Sequence, residues 1–186
     1  LATDGDVYES TGDWAKWTLI IKSASDSFVA IATDSANSPM YYALRSNGEV
    51  FQCQAGNSDW GSRVGDVGDR DDYEDMCYQT GTDVSAELLV IRSNPADTAY
   101  YSTDGGGNWS AWGADSIGND GFGEVNVGIV WCPDAKGVNA AYVLQDDGAV
   151  RYEDDGNNGG KNWKSFAGPV TPTDPPVFVD IACVPN

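Results

Sequence analysis

Four tryptophans, Trp14, Trp60, Trp109 and Trp163, recur roughly 45–55 residues apart, and the residues around each resemble one another. Residues 43–60 read ALRSNGEVFQCQAGNSDW, 90–109 read VIRSNPADTAYYSTDGGGNW, and 143–163 read VLQDDGAVRYEDDGNNGGKNW. The first residues, LATDGDVYESTGDW, repeat the same order. Each copy runs from a strand end through an Asn/Asp turn, a second strand and a polar loop to a Trp. It then continues as WAKWTLI, WGSRVGDV, WSAWGADS or WKSFAGPV. A further alternating strand precedes each unit: FVAIATD at 28–34, YEDMCYQ at 73–79, VNVGIVWC at 125–132 and VFVDIACV at 177–184. A four-stranded unit at this period predicts an all-β, four-bladed β-propeller of antiparallel blades, one domain over 1–186.

The repeats are out of phase with the termini. The last blade takes its first strand from 177–186 and its outer strands from 1–21, most of its second strand being absent. An unpaired inner strand invites aggregation. The terminal blade is therefore expected to close within one molecule. The alternative is completion in a neighbouring subunit, which makes the chain a structural unit of a filament or coat.

The 22 glycines and 8 prolines, with no long helical periodicity, agree with many turns and strands. A net charge of −19 disfavours nucleic acid and anionic membrane as partners. No apolar run reaches the length of a transmembrane helix. Leu1 in place of Met fits a processed, secreted product. In that setting Cys53, Cys77, Cys132 and Cys183 are expected to form two disulfides, with three pairings open; four buried thiols are the alternative. With no CxxC and no histidine a zinc site is not expected, and without histidine Ser-His-Asp or Cys-His chemistry is excluded.

The octet STDGGGNW at 102–109 reads as a hairpin loop: Asp104 can cap backbone amides, and Gly105 to Gly107 tolerate positive φ. Ser102, Asp104, Gly106 and Trp109 fit the pattern S-x-D-x-G-x-x-W, so the chain resembles the Asp-box (BNR-repeat) β-propellers, among them sialidases and lectins. The match is sharp in this copy alone; DDGNNGGKNW carries an insertion, and NSDW and STGDW keep little beyond turn and Trp. The resemblance implies a structural box between the third and fourth strands of a blade. It also implies a lectin-like role. Sialidases of the family use three converging arginines, whereas here Arg45 and Arg92 occupy one repeat position, and no catalytic set is expected.

Two acidic stretches offer oxygen ligands to calcium: Asp69, Asp71 and Asp72 in GDVGDRDDYED, and Asp154 and Asp155 in EDDGNNGG. Neither has EF-hand spacing, and a solvated acidic loop is the plainer reading. No other cofactor is implied. Asn108-Trp109-Ser110 is a sequon that makes Asn108 a glycosylation candidate.

Three residues beyond the repeat tryptophans stand Trp17, Arg63, Trp112 and Phe166. An odd offset turns them to the opposite blade face, where they either pack between blades or line a sugar groove. The expected function is extracellular, non-catalytic recognition of glycans or glycoproteins, with Trp17, Arg63, Trp112, Arg45 and Arg92 as carbohydrate-binding candidates.

Overall fold

A computed structural model describes residues 5–10, 16–21, 27–34, 40–54, 60–61, 63–68, 72–79, 87–93, 99–112, 125–133, 139–153, 163–167 and 180–183. All regular structure among them is β. The first meander comprises β3 (Phe28–Thr33), β4 (Met40–Arg45), β5 (Glu49–Gln54) and β6 (Arg63–Asp66). The second comprises β7 (Tyr73–Gln79), β8 (Glu87–Arg92), β9 (Ala99–Ser102) and β10 (Ser110–Trp112). The third comprises β11 (Asn126–Pro133), β12 (Asn139–Gln145), β13 (Val150–Glu153) and β14 (Lys164–Ala167). Ahead of them β1 (Val7–Glu9) and β2 (Thr18–Ile21) form a two-stranded hairpin.

Register shows that the meanders are copies. The last residue of each second strand faces the first residue of its first strand: Arg45 with Phe28, Arg92 with Tyr73, Gln145 with Asn126. One step further, Ser46 N donates to Ser27 O, Ser93 N to Asp72 O and Asp146 N to Val125 O, at 2.8–3.0 Å. The turn that follows needs a positive φ, supplied by Gly48 (92°) and Gly148 (85°). Gly5 (78°) holds the same place before β1, so the hairpin is the third and fourth strands of a further copy.

Alternation along the strands makes both faces apolar. On β8, Leu88 and Val90 join a cluster with Tyr42, Leu44 and Val50, whereas Leu89 and Ile91 join Trp112, Ala141 and Val143. A third cluster packs Val7 of the hairpin on Phe28, Ala43, Cys53 and Trp60. The sheets thus stack in chain order, with β3 beside β7 and β7 beside β11.

Two expectations are corrected. Within 177–184, the described residues 180–183 form no strand; they lie against β11, where Ile181 meets Gly128 and Cys183 is bonded to Cys132. That is one disulfide, not two. Cys53 faces the hairpin, whereas Cys77 packs on the cluster between the second and third meanders, so whole sheets separate the two thiols. Burial pushes the Cys77 thiol well above its ordinary pKa, which keeps it protonated and unreactive.

Candidate functional site

The octet is held by its own side chains. Ser102 Oγ donates to Asp104 Oδ1 and accepts from Gly106 N, both at 2.8 Å. Asp104 also accepts from Asn108, from the backbone N at 2.8 Å and from Nδ2 at 2.6 Å. These bonds, those from Asn108 first, hold the exposed Asp104 carboxyl down at about 2. Trp109 Nε1 donates to Gly106 O at 2.9 Å, and its ring packs on the cluster between the first two meanders. The loop joins β9 to β10, third strand to fourth, and Gly105 and Gly106 take φ of 71° and 94°. Asn108 is exposed, with Nδ2 engaged by Asp104.

The loop is also wedged against the neighbouring sheet. A Cβ on Gly65 of β6 would fall 1.8 Å from Gly106 O, so only glycine fits there. Gly65→Ala should lower the unfolding free energy by about 3 kcal/mol through overpacking, read from the urea midpoint. Ordinary stability in that variant would mean that the box loop does not press on β6.

Arg45 and Arg92 do share a structural position, and both are engaged. Arg45 donates to Glu49 at 2.7 Å and lies over the Phe28 and Phe51 rings. That bond holds Glu49 below the usual carboxylate range. Arg92, 1% exposed, donates through Nε and a terminal nitrogen to both oxygens of Asp72. This removes Asp72 from the calcium set, because its carboxylate is committed to a guanidinium. Asp69, Asp71, Asp154 and Asp155 lie outside the described residues. Among those described, no three acidic or cysteine side chains converge on a metal-sized point.

The candidates three residues past each Trp are not equivalent in space. In three fourth strands one residue is extra to the ladder: Ile20 on β2, Val64 on β6 and Phe166 on β14. On β10, Trp112 stands opposite Ala99, the match of Val50 and Val150. The extra residues Ile20, Val64 and Phe166 share one position, Trp112 matches Ile21, Gly65 and Ala167 opposite Val7, Val50 and Val150, and Trp17 and Arg63 fall before both. Ile20, Val64 and Trp112 each close the seam to the next sheet. Trp112 is 3% exposed, packed on Trp131 and Trp163, and is a core residue unable to meet a ligand. Trp17 is 53% exposed. Arg63 is half exposed and bonds Glu49 and Asp66, both at 3.2 Å.

Sequence reasoning missed Asp75 on β7. It accepts from Met76 N and, across the sheets, from Ile129 N, both at 2.8 Å. Burial, with Asp180 and Glu74 nearby, outweighs these bonds and raises its pKa to about 6. The folded state therefore binds this proton more tightly than the unfolded chain does. Its contribution is fully present below about pH 4 and is lost as pH rises through about 6, by up to about 3 kcal/mol. Asp75→Asn should flatten the stability profile between those values, measured by urea titration at stepped pH. An unaltered slope would place the titration elsewhere.

No protein-family model matches the chain, and no curated protein matches it in sequence.

Proposed function

We propose that the repeated sheets are blades of a β-propeller, four to the chain, and that the protein is a secreted, non-catalytic carbohydrate-binding module. The observation that carries the recognition reading is Trp17. A large aromatic side chain, 53% exposed, stands at the start of an outer strand in a stack that buries most of its other large apolar groups. A flat indole offers apolar area to a sugar ring at small entropic cost. On the first meander, the sheet next to the hairpin in the stack, Arg63 with Glu49 and Asp66 supplies charged donors and acceptors for hydroxyl groups. The Asp-box pattern at Ser102, Asp104, Gly106 and Trp109, with its loop between third and fourth strands, supports the propeller family. The Cys132–Cys183 bond is compatible with an oxidising, extracellular location.

The test is a glycan array followed by titration of the best ligand into wild type and Trp17→Ala. The expected result is binding reduced at least about ten-fold in the variant, with an unchanged circular dichroism spectrum. Equal affinity in the two proteins, or no glycan bound by the wild type, overturns the reading.

A further inference from the structure

Each sheet has a front, turned to the next sheet in chain order, and a back. Hairpin front meets first-meander back through Val7 and Ile20 on Phe28 and Trp60. First front meets second back through Leu44 and Val50 on Leu88 and Val90. Second front meets third back through Ile91 and Trp112 on Ala141 and Val143. Three seams are built alike. What remains is one front, that of the third meander, and one back, that of the hairpin.

Both remaining faces carry exposed apolar side chains, and the third-meander face also carries Lys164, whose ammonium lies 5.5 Å from the Tyr152 ring centroid. On the third meander Tyr142 and Tyr152 stack at 5.9 Å, and Phe166 sets its edge on both at 5.5 and 6.0 Å while staying 65% exposed. Phe166 is the extra residue of its fourth strand, as Ile20 and Val64 are of theirs, and those two pack into the seams of their own sheets. Near β11 this front is already begun by the C-terminal segment, through Ile181 beside Gly128 and the Cys132–Cys183 bond. On the hairpin, Tyr8 and Leu19 face away from the first meander, and Leu19 is 45% exposed. A chain closed on its own hairpin would bury Leu19 and Phe166 together. Among the described residues, no strand pairing joins the hairpin to the third meander or to residues 180–183.

We infer that the fourth seam is made between two copies of this chain: the Tyr142–Tyr152–Phe166 face of one receives the back of the β1–β2 hairpin of the other. The contact continues the front-to-back series of the three seams within the chain. It is heterologous, and two such contacts close a two-fold ring in which each hairpin sits beside the other copy's residues 180–183. This assembly goes beyond the carbohydrate reading and does not depend on it. With −19 charges per chain, association should strengthen as salt rises, because the seam is apolar and the opposing repulsion is screened.

The experiment is sedimentation velocity of the full chain over a wide concentration range at two salt concentrations, with two exposed-site variants, Phe166→Asp and Leu19→Asp. Wild type should run as a species of at least twice 19.8 kDa. Each variant alone should associate roughly a hundred-fold more weakly, with its circular dichroism unchanged. An equimolar mixture of the two should recover a dimer, because one intact front then meets one intact back. A wild-type monomer at every concentration overturns the inference. So does an associating wild type whose blocked variants fail to complement each other, since that pattern belongs to a symmetric contact through a single face.

Discussion

Trp112→Ala is expected to lower the unfolding free energy by about 4 kcal/mol. The indole is 3% exposed and lies between Trp131 and Trp163, with ring centroids at 6.4 and 5.8 Å. Its neighbours Leu89, Ile91, Ala141 and Val143 belong to strands tied on both sides, so they cannot collapse into the vacated space. The lost transfer energy and the cavity therefore add. Urea unfolding followed by far-ultraviolet circular dichroism should show the midpoint moving far down, with glycan affinity unchanged in molecules that remain folded. A wild-type midpoint combined with lost glycan binding would make Trp112 a ligand contact and would contradict its burial.

The second large effect concerns the Asp72–Arg92 pair. Asp72→Ala should cost about 3 kcal/mol, because it strands a guanidinium that is 1% exposed and lies over the Tyr73 ring. The backbone carbonyl of Arg92 also accepts from Asn126 Nδ2 at 3.2 Å, so a disturbed Arg92 carries strain across the seam. Removing both charges is a different experiment. Asp72→Ala with Arg92→Met leaves no buried ion and keeps an apolar stem of similar reach, and it should return to within about 1 kcal/mol of wild type. If the double variant is no more stable than Asp72→Ala, the loss comes from the altered residues themselves and not from an orphaned charge.

Much of the sheet pattern is legible in the sequence because its signals are local. Gly5, Gly48 and Gly148 mark the same left-handed turn, and Ser102, Asp104 and Trp109 specify their loop through bonds spanning three or four residues. What fails is counting across a loop of variable length. Arg63 lies opposite Phe51, and its counterpart on β14 is Ser165 opposite Arg151, two residues past Trp163 instead of three. A bulge then admits one further residue. Face assignments made from the Trp landmarks drift accordingly, which is why exposed Trp17 and buried Trp112 look alike in sequence. The cysteine pairing was hidden for a related reason: whether Cys53 and Cys77 share a seam depends on pleat direction and sheet order, and they do not. Arg92 did carry a readable signal. An arginine ending the apolar run LLVI must find a carboxylate, and Asp72 precedes the strand it faces.

In each four-stranded sheet every hydrogen-bonded neighbour is also the next strand in sequence. No strand waits for a distant part of the chain before it can pair, so the sheets belong to the class of short-range topologies that assemble quickly. Among the described residues, long-range order enters through the seams and through the Cys132–Cys183 bond. The molecule behaves as a short linear array in which each sheet is stabilised by those beside it, and disturbance passes from neighbour to neighbour. The second meander, flanked on both sides by four-stranded sheets, is the sheet whose amides should exchange last with solvent, and the hairpin is where opening should begin.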